Sequence, residues 1–202
     1  GEIWGDLVDR LFQNDDFLWQ NGELVKANDK YGQYYKFADG KNYATQGKIA
    51  SGNLISGPGD VKFKDINGDG IIDNGLLQVD DHGDLTVIGN TTPRFEYSFR
   101  ADLSWKGIDF SMFWQGIGKR DMLGSSWLTV PGFNITGDGG SAQRFCEDFW
   151  YETKDAAGNV IDANYDAFYP RAASLGRSRS FNMTDNDKYM LNMAYLRLKN
   201  VT

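Results

Sequence analysis

The chain is nearly empty of the residues on which most metal and nucleophilic centres are built. Its 202 residues include one cysteine, Cys146, and one histidine, His82. A lone cysteine excludes an intrachain disulfide and a cysteine metal cluster, and Cys146 reads as a small buried hydrophobe. A Ser-His-Asp triad or a histidine-rich metal site would have to be built around His82 alone. Positive charge is also short: 21 Lys and Arg against 28 Asp and Glu leave a net charge of −7. Phosphate backbones need a basic field, so no nucleic-acid partner is expected. No apolar run approaches the roughly 18 residues of a transmembrane helix. That leaves a membrane β-barrel open, because barrel strands alternate and a hydropathy window averages them away. The sequence has no starting Met and no signal peptide, and it stops at Asn200-Val201-Thr202 inside a strand pattern. Both ends read as cuts in a longer protein.

What is present points to β-structure with many turns. There are 24 Gly against 4 Pro, and aromatics reach 14%. Hydrophobic residues at 41% and charged residues at 24% suit a packed core. The chain divides into a loop-rich segment 1–93, a hairpin 94–116, a long irregular region 117–188 and a last strand pattern 189–202. Within the first segment, Trp4, Leu7, Val8, Leu11 and Phe12 stand at helical spacing, which predicts a short amphipathic helix over 3–12. Residues 20–60 read as long loops with short strands, and 51–60 as a turn-rich connector. No repeat of fixed period is visible.

The hairpin is the clearest pattern. Phe95, Tyr97, Phe99, Ala101, Leu103 and Trp105 alternate with Glu96, Ser98, Arg100, Asp102 and Ser104. Such alternation marks a strand with one apolar and one polar face. Lys106-Gly107 supplies a two-residue turn, and Ile108, Phe110, Met112 and Trp114 alternate on the way back. The loop length sets 105 opposite 108, 103 opposite 110, 101 opposite 112 and 99 opposite 114, each pair apolar. A slip of one residue would mix the faces, so the pattern specifies its own register. Tyr97 falls opposite Gly116, where a ring can cover a bare glycine. Phe113 is the one break in the polar face. A soluble β-sandwich would show the same alternation, but strands this long suit a membrane barrel, as do the aromatics at both ends.

A second motif is acidic. Asp65, Asn67, Asp69 and Asp73, with Gly70 at the sixth position and Ile71 at the seventh, match the first nine positions of a calcium loop. Calcium takes six to eight oxygens, and alternate acids on a tight loop with one backbone carbonyl (that of Ile71) provide them. The twelfth position, normally an acid, is Leu76; residues 74–83 displace the next acids, leaving Asp80, Asp81 or Asp84. A metal-free turn cluster is the alternative reading. Glu147 and Asp148 form an acid pair of the kind glycosidases use, but acids are abundant and no spacing singles these two out. The Asn-x-Thr triplets at Asn90, Asn134, Asn182 and Asn200 are sequons by pattern only.

Five stretches belong together: Gly59 to Gly70 (GDVKFKDINGDG), Asp84 to Phe95 (DLTVIGNTTPRF), Ser104 to Phe110 (SWKGIDF) with Phe113 to Gly116 (FWQG), Tyr169-Pro170-Arg171, and Ala194 to Thr202 (AYLRLKNVT). Together they resemble one family, the SusC/RagA-type TonB-dependent transporters of the outer membrane. They occur in the family's order across 59–202, and the last is the most specific. Residues 1–58 match loosely: Arg10 stands where the family has Gly, which implies a strand-to-loop passage rather than a helix. The insertion at 74–83 puts Asp84 in the place of the loop's last acid. The resemblance implies an all-β fold: antiparallel strands and long extracellular loops from a large barrel of about 22 strands. It implies no enzymatic activity. It implies import of oligosaccharides or peptides in Bacteroidota, with a SusD-type surface lipoprotein as partner and energy from TonB through parts absent from this chain. Lys106-Gly107 would then be a periplasmic turn, with the calcium-like loop and the 117–188 region outside the cell. A soluble calcium-stabilised β-domain that binds glycans through exposed Trp and Tyr is the alternative.

Overall fold

A computed structural model describes residues 1–29, 32–41, 56–124, 147–172, 182 and 184–202. Cys146, Asn134 and much of the 117–188 region lie outside the described residues. Among the described residues the chain is all-β, its strands pair antiparallel, and there is no α-helix. The strands important here are β1 (Glu2–Gly5), β2 (Val8–Leu11), β3 (Trp19–Gln20), β4 (Glu23–Leu24), β5 (Lys26–Asp29), β6 (Gly32–Tyr35), β7 (Val61–Phe63), β8 (Thr86–Asn90), β9 (Arg94–Trp105), β10 (Ile108–Lys119), β11 (Asp121–Leu123), β12 (Tyr151–Lys154), β13 (Val160–Asn164), β14 (Met190–Asn192) and β15 (Tyr195–Val201).

The hairpin has the register that the alternation requires. Trp105 faces Ile108, Leu103 faces Phe110, Ala101 faces Met112, Phe99 faces Trp114 and Tyr97 faces Gly116. Lys106 and Gly107 both take positive φ, 49° and 86°. Two consecutive left-handed residues match the twist of the flanking strands, as two-residue hairpins demand. The Phe99 and Trp114 rings stack at 5.8 Å. β15 adds to the far side of β10, placing Val201, Leu198 and Leu196 opposite Met112, Trp114 and Gly116. The apolar face therefore runs across all three strands of the sheet β15-β10-β9. Phe110, Leu103, Ile108 and Leu198 on it are exposed, so the described loops do not fold over it.

Residues 3–12 correct the helical expectation. They form two short strands broken at Asp6: β1 pairs with β8 and β2 with β7. Pairing with distant segments overrides a local spacing whose helical period came from two strands in succession. Gly5 shows why no other residue fits: a Cβ there would lie 2.5 Å from the Asp185 carbonyl oxygen. Leu11 and Phe12 enter the core with Phe17, Phe37, Val61, Phe63, Ile72 and Trp150. The Phe12, Phe17 and Phe37 rings meet pairwise at 5.0–5.5 Å.

Gly116 is the tight point of the sheet. A Cβ there would meet Tyr97 Cζ at 2.5 Å and the Tyr195 carbonyl oxygen at 2.7 Å. The ring can swing away, but the backbone of β15 cannot. Gly116→Ala is expected to cost about 1–3 kcal/mol, as overpacking does. Adding Tyr97→Ala should not restore it. Denaturant unfolding of both variants checks this; full recovery in the double variant would mean that the ring alone sets the constraint.

Candidate functional site

The acidic loop begins where β7 ends. Asp65, Asn67 and Asp69 each turn their oxygens back on the loop's own amides. Asp65 accepts from Gly68 N at 2.6 Å and Gly70 N at 2.9 Å, Asn67 from Asp69 N at 3.0 Å, and Asp69 from Ile71 N at 2.8 Å. Asp73 accepts from Gly75 N at 2.8 Å. Gly68 and Gly70 take φ of 78° and 81°, which lets the chain turn so tightly. Ile72 is fully buried and fixes the loop to the core.

Asp84 closes the loop from the other side. It is fully buried and accepts from Ile66 N at 2.7 Å and, through its second oxygen, from Asp73 N at 3.0 Å. Of Asp80, Asp81 and Asp84, the acids left open for the loop's last position, Asp84 is the one that hydrogen-bonds to both sides of the loop. Burial pushes its carboxyl up, the amides of Asp73, Ile66 and Asn67 pull it down, and the net is above the ordinary value. Asp84 Oδ1 accepts from both Ile66 N and Asn67 N, whereas the other carboxylate oxygens of the loop each keep a lone pair beyond those the loop amides use. Among the described residues, no three His, Cys, Asp or Glu side chains are gathered as a metal group.

Asp6, which sequence reasoning passed over, is buried at 2% exposure and its Oδ1 has no hydrogen-bond partner. Its backbone is fixed by Asp6 N to Asp185 O at 2.9 Å and Asp187 N to Asp6 O at 3.1 Å. A second missed group is a polar knot. Asp60, 1% exposed, accepts from Arg171 Nε at 3.0 Å and Nη2 at 2.6 Å, from Gly57 N at 2.9 Å and from Asn182 Nδ2 at 3.1 Å. Asn182 is buried and its Oδ1 accepts from Val61 N, so its sequon is a structural pattern. Asp60 and Arg171 sit inside stretches whose order was readable, yet nothing local in either marks the other as its partner. Glu147 and Asp148 are both exposed, and Asp148 accepts from Asn164 Nδ2 and Phe168 N.

A shallow cleft lies beside the loop, between β1 and residues 77–85, with Trp4 and His82 in ring contact at 5.5 Å. On the other flank Asp121 of β11 accepts from Asn90 N at 3.1 Å, joining the loop region to the long sheet.

The geometry is that of a β-protein in which a three-stranded antiparallel meander with an apolar face is joined to an acid-rich loop assembly. No protein-family model matches the chain. Over 104 residues, 49% of the chain, it is 28% identical to TonB-dependent receptor P3 of Formosa agariphila. The match covers 9% of that receptor's length, so the chain is similar to a small part of it.

Burial first, then the charges of Asp84 and Asp185, push Asp6 from an ordinary 3.8 up to about 7. The folded chain therefore holds this proton more tightly than the unfolded chain. Asp6 contributes most to stability below about pH 4, loses that contribution as pH rises to about 7, and changes nothing above. Three pH units of this kind correspond to roughly 4 kcal/mol at most. Unfolding free energies measured from pH 4 to 8 should fall with pH in the wild type and much less in Asp6→Asn. An equal slope in both would show that Asp6 is not the group titrating.

Proposed function

We propose that the chain is part of a TonB-dependent outer-membrane transporter of the SusC/RagA type, in which β9, β10 and β15 are neighbouring barrel strands. The similarity to a TonB-dependent receptor supports this reading, and the observation that carries it is the meander itself. β9 and β10 are each twelve residues long. Soluble strands usually have about 5–6 residues, whereas tilted membrane strands need about 9–11. The face carrying Leu103, Phe110 and Leu198 would meet lipid. The opposite face, with Arg100, Asp102, Gln115, Arg197 and Asn200, would line the lumen. Outer-membrane barrels have short periplasmic turns and long outer loops, so Lys106-Gly107 would face the periplasm and the acidic loop the outside. On this reading the protein is not an enzyme. It imports oligosaccharides or peptides, is capped by a SusD-type lipoprotein, and is driven by TonB through parts outside this chain.

In the full-length receptor, Phe110→Lys should cost about 2–4 kcal/mol if Phe110 lies near the bilayer midplane, and Trp114→Lys less, toward the outer girdle. Thermal unfolding of the outer-membrane fraction reads this. A receptor recovered in the soluble fraction, unaffected by either lysine, would favour the soluble glycan-binding domain instead.

We also propose calcium as the loop's ligand, held by Asp65, Asn67, Asp69, Asp73 and the Ile71 carbonyl, with Asp84 bracing the loop. Calorimetry with calcium should give heat with the wild type and little with Asp69→Ala. Equal heats from both, or none from either, would leave only the turn.

A further inference from the structure

We infer that the turn 75–83 and the cleft beside it form a docking surface for a segment of a partner protein, one offering an aliphatic or aromatic side chain flanked by lysine or arginine. The turn lies in the stretch that departs from the family pattern, and the inference does not rest on the transporter reading.

The turn presents apolar side chains to water in a fixed conformation. Leu76, Leu77 and Val79 are 69%, 72% and 81% exposed. Their backbone is held: Leu76 N and Gln78 N both donate to Asp81 O, at 3.0 and 3.1 Å, Asp81 N donates to Gln78 O at 3.0 Å, and Leu77 N donates to Asn74 O at 3.2 Å. Gly75 and Gly83, both at positive φ, close the base. Leu77 itself takes φ 57°, a left-handed conformation that is strained for a residue bearing a side chain. Strain of this kind persists only where surrounding structure imposes it, and it clusters at binding sites. Exposed apolar groups rimmed by polar ones mark interaction surfaces.

Next to these knobs is a hole. A cleft of about 330 Å³ is lined by Trp4, Leu77, Val79 and Leu85, with Glu2 and His82 at its polar side. It is wide enough for one large apolar side chain. Knob and hole together suit a protein segment, which can both receive Leu76 and insert a side chain beside Trp4. A small transported molecule could fill the cleft but would leave the knobs bare.

The sign of the rim decides the partner's charge. From Asp65 to Asp84 there is no lysine or arginine. Asp80 and Asp81 stand on the turn, both exposed, and Glu2 adds to the lining. An anionic membrane surface would be repelled, whereas a basic segment is drawn in and oriented.

The test uses three fluorescein-labelled peptides, KLKFKLK, KSKSKSK and ELEFELE, titrated with the chain by fluorescence anisotropy. The first should bind at least about ten-fold more tightly than the other two, a difference of about 1.4 kcal/mol. Leu77→Ser with Val79→Ser should abolish that advantage, and Asp80→Asn with Asp81→Asn should weaken KLKFKLK and reduce its salt dependence. All four positions are exposed, so both double variants should keep the wild-type melting temperature. Equal binding of all three peptides, no binding of any, or unchanged affinity in both variants overturns the proposal. Displacement of KLKFKLK by maltoheptaose, with the serine variant losing the sugar too, would assign the cleft to a glycan instead.

Discussion

One buried carboxylate organises the part of the chain outside the long sheet. Asp60 has left water almost completely, a transfer that costs several kcal/mol unless each lone pair is met. Arg171 meets two with a forked guanidinium, and Asn182 and the Gly57 amide meet the others. These partners come from positions 57, 171 and 182, so forming the knot fixes three distant stretches at once. The neighbouring backbone completes the tie: Gly59 N donates to Phe12 O, Phe12 N donates to Asp60 O, and Arg171 N donates to Gly59 O. A Cβ on Gly59 would run into the Trp150 indole at 2.5 Å, so glycine is required for that approach. Removing one member would strand the others, whereas the intact set gives position more than it gives energy.

From this knot the acidic loop takes its place. Val61 and Phe63 of β7 are buried directly after Asp60, and the loop leaves the end of that strand. Ile72 returns to the same core. The span between is then too short to wander, and the aspartates spend their oxygens on its amides. Asp84 reaches in from the far side, which brings a second buried acid near Asp6. The cluster tolerates that proximity because one of its carboxyls can hold a proton. Acid placement here is set by the core beneath the loop as much as by the loop's own motif.

The hairpin could be read from sequence because everything specifying it is local: alternation, a Lys-Gly turn and a glycine opposite a tyrosine. Register, turn residues and ring placement all follow from about twenty adjacent residues. The loop's aspartates were legible for the same reason, since Asx turns bond within two to five residues. Residues 3–12 were misread because their partners, β7 and β8, lie fifty or more residues away, and two short strands in series imitate a helical spacing. Asp60 with Arg171 and Asn182 could not be found at all: each looks like an ordinary surface residue until the chain closes. Asp6 hid likewise, since burial of a carboxyl leaves no trace in its neighbours' identities.

The two regions obey different rules of burial, and this difference is itself informative. Around the knot, apolar side chains are enclosed and polar ones satisfied, as water requires. On the sheet β15-β10-β9 the order is reversed: Trp105, Ile108 and Leu103 are 62–66% exposed on the apolar face, and no described loop covers them. Three such side chains hold several kcal/mol of unrealised burial at about 25 cal/mol per Å². A sheet left so in water would associate through that face. The unshifted register of β9 and β10 and the left-handed turn show that the hairpin itself is well specified, while β15 joins it with one register shift between Phe113 and Trp114. The proposed barrel would supply what its side chains fit: an apolar medium on one face and further strands at both open edges.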